Sequence, residues 1–456
     1  MFLEAISLCQ IYRYSQKIRE SPLKSNHVED RQVLRLIEVS HQVDIRLFVC
    51  LSASDRPKQA QVNDTRSLEL GFVGTQFLDD GCLIHTQTLT YRSPNFNISS
   101  SLCYTQSMRL ILPALLLTAA ALSAQSPKTL LATPETVVWG SYNGAAKPAL
   151  TVKSGETVVI QTLSTCGAAK RLESLGVVAG DIPQYTRDVL EKFPAAEKGP
   201  GGHILTGPVA IEEAEPGDVL EVRIQKIQID VPWACNSFGP GRGFLPNDFP
   251  YQRTKIIPLD REKMLGHFAP GVDIPLHPFF GSMGIAASAG GKTDSAPPWM
   301  NAGNMDNKEL VAGTTLFIPV NSKGANFEVG DGHAGQGNGE VDITAMETQL
   351  TGTFQFIVHK GSLDDVARLV WPRAETPNYY ISMGFHEDLK AATEMAVRNM
   401  ITFLADQNPD HAHLSRADAY SLVSVACDVD VTQLVDLPRV GVHVMCPKAM
   451  FTKAAR

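Results

Sequence analysis

Three stretches of this chain share one pattern, and that pattern restricts what it can fold into. Thr151-Val-Lys-Ser-Gly-Glu-Thr-Val-Val-Ile160 is two β runs around a Ser-Gly turn. Glu215-Pro-Gly-Asp-Val-Leu-Glu-Val-Arg-Ile224 is a turn followed by Val219, Val222 and Ile224 among polar residues, and Val311-Ala-Gly-Thr-Thr-Leu-Phe-Ile318 repeats the turn and strand. Successive strand residues face opposite ways, so such runs suit sheets with a buried face. Turn-plus-strand units without intervening helices favour an antiparallel sandwich or barrel over alternating β and α segments. No tandem repeat of fixed period is present. Helical period appears late. His386 to Leu404 places Leu389, Ala392, Met395, Ala396, Met400 and Phe403 on one stripe, Arg416 to Ala426 forms a second helix, and Val440 to Met445 is a closing strand. The expected class is mainly β (α+β), with an antiparallel β-sandwich or barrel core. Residues 127–375 are β-rich and 376–456 contain the helices.

The first 107 residues read differently. They carry Cys9, Cys50, Cys82 and Cys103, half of the eight cysteines, and little sustained periodicity. Met108-Arg109 then opens an apolar run from Leu110 to Leu122, broken by Pro113 and Thr118 and followed by Ser123 and Ala124. One positive charge, a short apolar core and a small-residue exit describe a secretory signal peptide over 108–124. The run is short for a membrane span, although an uncleaved anchor has the same appearance. Such a signal acts only at an N-terminus. Residues 1–107 are therefore expected to be non-native upstream translation with little ordered structure, the competing reading being a genuine domain and an apolar linker. The exported chain would begin near Gln125 and be periplasmic or secreted, with no stable membrane span after cleavage. Cys166, Cys235, Cys427 and Cys446 remain, without zinc-knuckle spacing, as one or two disulfides or as buried thiols.

The chain has 456 residues, 44% hydrophobic and 19% charged, with net charge -8. That suits a globular protein with substantial cores, and the acidic balance without a basic, aromatic-interleaved patch argues against nucleic acid as a partner.

Chemistry concentrates between Pro297 and Glu347. Asn304-Met305-Asp306-Asn307 and Gly330-Asp331-Gly332-His333 flank an expected strand pair, Thr315 to Pro319 and Ala325 to Val329. Gly330, Gly332, Gly335, Gly337 and Gly339 follow one another closely, and Glu340, Asp342 and Glu347 come next. Glycine at that density lets backbone approach a bound group. In extended backbone Asp331 and His333 share one face, and a carboxylate beside an imidazole with further carboxylates nearby suits a small hard or borderline cation. Each element also has a plainer reading, as an Asx-turn, a helix cap or a solvated loop histidine. Pro232 to Pro250 and Pro275 to Pro298 are loop-rich, the kind of segment that carries sites on a β scaffold.

Several enzyme signatures fail. Gly290-Gly291-Lys292-Thr293 has Ala286 where a phosphate loop requires its leading glycine, no Gly-x-Ser-x-Gly elbow occurs, and His386-Glu387 lacks the second histidine of the helical zinc-protease motif. The paired-serine segment of serine amidases is missing too. What does occur, in order, is the run His203-Ile-Leu-Thr-Gly-Pro-Val-Ala-Ile-Glu-Glu-Ala-Glu-Pro-Gly-Asp218, then His277-Pro-Phe-Phe-Gly-Ser-Met-Gly284 and Gly303-Asn-Met-Asp-Asn307. Gly330-Asp-Gly-His-Ala-Gly-Gln-Gly-Asn-Gly-Glu340, Asp418 to Ala426 and Val431 to Val435 complete the series. This constellation resembles the acetamidase/formamidase family over roughly Thr133 to Phe451.

The resemblance implies hydrolysis of short aliphatic amides to carboxylate and ammonia, by a self-associating enzyme with zinc or another divalent metal. It points to Asp306, Asp331 and His333 as metal ligands, with His203 as a fourth, and to Glu340 or Glu347 as the general base. Export is a departure from the family's frequent cytoplasmic location. Two other readings compete: a β-rich periplasmic binding or scaffold protein on the same fold, and a thiol amidase using Cys235 or Cys166.

Overall fold

The computed structural model describes residues 126–451 apart from 289, 362–368 and 408–413, together with the backbone of four earlier strands. It divides into two units, Met1–Ala124 and Gln125–Arg456. In the first, Phe48–Val49, Leu68–Phe77, Leu83–Ser93 and Phe96–Gln106 make an antiparallel four-stranded sheet. Strands therefore occupy part of a region expected to hold little ordered structure, on segments rich in threonine and alternating apolar residues. The run read as an export signal lies outside the described residues. Among the described residues no helix is long and apolar enough to cross a membrane.

The second unit is built on two large sheets. One has nine strands, ordered from Asp428–Gln433 through Val440–Pro447, Tyr379–His386, Arg373–Glu375, Thr315–Pro319, Val219–Ile229, Leu350–His359 and Thr157–Gln161 to Lys128–Leu130. The other runs from Val272–Pro275 through Leu265–Ala269, Arg253–Asp260, Trp233–Phe238, Glu347–Thr348, Phe327–His333 and Ile204–Ile211 to Val137–Trp139. Phe279–Gly284 branches from Phe327–His333 and carries Ala302–Asn304 on its far side. Their inner faces share one core. Phe280 and Phe327 of the second sheet lie 5.4 and 5.8 Å by ring centroid from Phe354 of the first, and Phe327 lies 5.0 Å from Phe356. Interdigitated aromatics of this kind hold a sandwich together.

Two details depart from expectation. Thr315–Pro319 and Phe327–His333 do not pair; they belong to opposite sheets, the first beside Val219–Ile229 and the second beside Ile204–Ile211. The turn between them includes Gly324, Ala325 and Asn326, all with positive φ (77°, 57° and 54°), which swings the chain across the sandwich instead of folding it back as a hairpin. The Ser-Gly turn after Val152 acts likewise: Leu150–Val152 joins Ile204–Ile211, and Thr157–Gln161 joins Leu350–His359. Helices Ala169–Ser174 and Gln184–Lys192 also lie within the β-rich part. At six and nine residues they are shorter than the window over which a helical period registers.

The late helices form where expected, at Leu389–Thr402 and Arg416–Ala426, capped by Asp388 and Ser415 side chains that accept from Ala391 N and Asp418 N. The first helix rests on the outer face of Tyr379–His386. Along that strand Ile381, Met383 and Phe385 enter the sandwich core, while Tyr380 faces the helix with Val442 and Val444 of the next strand. Ser382 donates its hydroxyl to Ala396 O at 2.8 Å. Gly384 lets the backbones meet, since a Cβ there would stand 2.2 Å from Ala392 O and 2.5 Å from Ala396 N. Gly384→Ala should therefore push the helix off the sheet and cost about 1–3 kcal/mol, the usual scale of overpacking. Thermal denaturation should show a melting point lower by several degrees, and an unchanged one would refute this packing.

Candidate metal centre

Three backbone devices aim carboxylates at one point. Phe327–His333 changes neighbours midway: Leu205 stands opposite Gly330, whereas Thr348 and Glu347 stand opposite Gly332 and His333. Asp331 sits at that change in left-handed backbone, φ 57°. Asp306 (φ 50°) follows Ala302–Asn304 and donates its amide to Gly281 O at 3.2 Å, and Glu340 (φ 45°) lies in the glycine loop. Left-handed backbone is costly for a residue with a Cβ and persists where surrounding structure fixes it, often at functional sites. The simple i, i+2 alternation anticipated for Asp331 and His333 thus passes through a kink, yet both side chains reach the same place.

One ligand atom each from Asp306, Asp331 and His333 lies within 4.8 Å of the others; the same holds for His333, Glu340 and Glu347, and for Asp306, Glu340 and Asp436. His333 Nε2 stands 3.2 Å from Glu347 Oε1, 3.5 Å from Asp331 Oδ2 and 4.0 Å from Asp306 Oδ1. His203 stands at the edge, its Nε2 3.6 Å from Asp331 Oδ2 and its Nδ1 3.1 Å from both Ser295 O and Ser295 Oγ. All six residues singled out from the sequence are brought together.

Three others were missed. Asp436 follows directly on Val431–Val435, and its loop reaches the centre because Gly339 N donates to Thr432 O and Leu434 N to Gly339 O, at 2.9 and 3.0 Å. Gln336 lies 2.9 Å from His333 Nδ1 through its Oε1, while its Nε2 donates to Asp306 O at 2.8 Å. That contact sets Nδ1 as the protonated nitrogen and turns a free Nε2 towards the carboxylates. Gly281, inside the His277–Gly284 motif, leaves the space: a Cβ there would meet Asp306 Oδ1 at 2.3 Å, Asp331 Oδ2 at 2.6 Å and His333 Cε1 at 2.9 Å. Sequence spacing carried no signal for any of the three.

Asp306 Oδ1, His333 Nε2, Glu340 Oε2 and Asp436 Oδ2 are all buried without a hydrogen-bond partner. Buried polar atoms are nearly always paired, so four such atoms around one volume form a place where a cation could be held. Electrostatics agree with that sign. Burial first, then Asp306, raises Glu340 and Asp436 well above the carboxylate range. Burial also raises Glu347. Burial opposes ionisation of Asp331, but His203 and His333 outweigh it and hold that carboxyl far below the usual range. Burial alone would depress His333, yet Glu347 and Asp331 hold it well above its ordinary value. Five carboxylates this close need protons or a cation. Oxygen-rich ligands with one imidazole could hold a divalent ion.

The centre opens into a cavity of about 260 Å³ also lined by Thr165, Arg171, Arg242 and Thr344. A larger one of about 520 Å³, with Phe268, Ile274, His277 and Met346 on its walls, contains none of these five carboxylates. Cys166 and Cys235 line the smaller cavity and are joined as a disulfide, as are Cys427 and Cys446. Bonding to each other removes both sulfurs as nucleophiles, so the thiol-amidase reading falls.

Fold and site together define a β-sandwich protein with a buried carboxylate-imidazole centre at the floor of a small cavity. Residues 198–293 and 288–453 match the model of the Acetamidase/Formamidase family, and the chain belongs to that family. It is 28% identical over 223 residues to a Schizosaccharomyces pombe protein assigned as a formamidase, covering 36% of this chain and 54% of that one. It is 27% identical over 200 residues to an acetamidase of Mycolicibacterium smegmatis, covering 31% and 49%. The chain thus spans about half the length of the curated relatives it matches. The crystal structure of an acetamidase from Bacillus halodurans superposes with TM-score 0.58 at 26% identity, over 72% of this chain and 100% of that one.

Cation-free protein should lose stability as pH rises. Glu340, Glu347 and Asp436 bind protons more tightly folded than unfolded, so the folded state holds more protons above the unfolded carboxylate value of about 4. His333, also raised, contributes stability that is present below about 6.5 and lost as pH climbs through its folded value. Asp331, depressed, acts in the other direction only below about 4. Chelator-treated protein should therefore melt at a higher temperature at pH 6 than at pH 8.5. The reverse order in a thermal scan would contradict this electrostatic picture.

Proposed function

We propose that this chain hydrolyses the carbon–nitrogen bond of short linear amides to a carboxylate and ammonia, at a divalent cation of the zinc type. The observation that carries the reading is the convergence of unpartnered Asp306 Oδ1, His333 Nε2, Glu340 Oε2 and Asp436 Oδ2 beside the space kept by Gly281. The family supplies the reaction class. A bound divalent ion would lower the pKa of water and polarise an amide carbonyl, the two things this unreactive bond requires.

Asp306, Asp331 and His333 would hold the ion, with Asp436 completing the ring and His203 steadying Asp331. Gln336 fixes the tautomer that leaves His333 Nε2 free. Between the two candidate bases the hydrogen bonds favour Glu340. Glu347 has both oxygens engaged, Oε1 by Ala345 N at 2.9 Å and Oε2 by the Thr165 hydroxyl at 3.0 Å. Glu340 Oε2 has none. It can take the proton from attacking water and return it to the departing nitrogen. Glu347, whose Oε1 stands 3.2 Å from His333 Nε2, is placed to share the ion with that nitrogen. The family's reaction class together with this set of buried acids supports an enzyme over a scaffold without turnover. Two disulfides support the export reading of 108–124, since such bonds persist in oxidising compartments. Self-association rests on the family resemblance alone.

Protein expressed from Met108 should contain about one divalent ion per chain and release ammonia from formamide or acetamide. Removing the ion should lower the rate about a hundredfold or more, given the several kcal/mol such ions supply. Metal analysis coupled to ammonia release decides it; activity indifferent to chelator, or no ammonia with any metal, would sink the proposal. Glu340→Gln should keep the ion and lose about 10²–10⁴ in kcat, the range of general acid–base catalysis. Glu347→Gln should lose less, and the opposite ranking would exchange their roles.

A further inference from the structure

The wall of the catalytic cavity does not look like one made only for formamide or acetamide. At about 260 Å³ it is near the lower end of small-molecule sites, yet Thr165, Ser237, Gln252 and Thr344 line it with two arginines, Arg171 and Arg242. A pocket for a short neutral amide needs polar groups at the reacting carbon and apolar walls elsewhere.

Arg171 is held in place. Its guanidinium donates to Thr254 Oγ1 at 2.9 Å, and Thr254 Oγ1 is hydrogen-bonded to Ser237 Oγ at 2.9 Å. Its stem passes over Gly167, where a Cβ would approach Arg171 Cδ to 3.3 Å and where φ is +106°, unsuited to a side chain. The Cys166–Cys235 disulfide joins the segment just before Arg171 to the strand carrying Ser237. Only one guanidinium nitrogen is used by Thr254, and no carboxylate of the described residues pairs with Arg171 or Arg242. Arg171 is exposed, anchored at one nitrogen by a hydroxyl, and its remaining donors are free to meet a planar anion. The buried acids cannot be that anion's competitor once a cation sits among them.

We propose that the amides this site takes carry a carboxylate at the end remote from the reacting carbonyl, short half-amides of dicarboxylic acids, and that Arg171, seconded by Arg242, binds that carboxylate. The proposal rests on the amide-hydrolysis reading and narrows its substrate. Water adds to the amide carbon, ammonia leaves, and the product is a dicarboxylate with one end still on Arg171. Arg171 touches no reacting atom; it sets specificity through binding.

The test compares kcat/KM for succinamate and butyramide, near-matched in length, in wild type, Arg171→Met and Arg171→Lys. Wild type should favour succinamate by about tenfold or more, the scale of a charge-assisted hydrogen bond. Arg171→Met should collapse that ratio, chiefly through KM for succinamate, and Arg171→Lys should fall between, keeping charge without the fork. A wild type that prefers butyramide overturns the proposal. So does a ratio unchanged in Arg171→Met, the result expected if the arginines merely balance the charge of the acids. Hydrolysis of formamide or acetamide but of neither longer amide overturns the proposal and leaves the amidase reading standing; hydrolysis of none defeats the amidase reading, so binding of succinate to metal-loaded protein is measured separately by calorimetry. About tenfold weaker succinate binding to Arg171→Met supports the carboxylate site without turnover; no binding to wild type, or equal binding to both, overturns it.

Discussion

Mutual repulsion among buried carboxylates is the constraint around which this structure is arranged. Asp306, Asp331, Glu340, Glu347 and Asp436 would not gather unaided in a poorly hydrated pocket, and the protons or ion they require are supplied from outside the chain. The sandwich core supplies rigidity to oppose that repulsion. Phe280, one residue from Gly281, locks its strand to Phe354 across the sheets, and Phe327 begins the strand that ends in Asp331 and His333. Left-handed backbone at three of the five acids is the local strain that the packed sheets hold in place.

Much of the site was legible because chemistry and backbone freedom share a stretch of sequence. Asp331, His333 and Glu340 stand among glycines that permit close approach, and Asp306 lies in an Asx-rich cluster, so residue type and spacing drew attention to them while the family resemblance gave them their expected roles. Asp436 was invisible to such reasoning. It belongs to another sheet edge and reaches the centre through hydrogen bonds between Gly339 and the Thr432–Leu434 backbone, which no local pattern encodes. Gly281 and Gln336 escaped because one contributes absence of a side chain and the other orients a neighbour.

The fold shows the same division. Alternation and turn chemistry identified strands and the amphipathic period identified the late helices, since both are local properties. Pairing was not local. Thr315–Pro319 and Phe327–His333 have the look of a hairpin, and only the left-handed turn at Ala325 and Asn326 sends them to opposite sheets. Two short early helices left too few residues to establish a period.

The tether between Gly339 and the strand Asp428–Gln433 couples the glycine loop that carries Glu340 to the edge of the nine-stranded sheet. Asp436 docks through that tether, so a displacement of that edge strand would draw one oxygen away from the centre while leaving Asp306, Asp331 and His333 where they are.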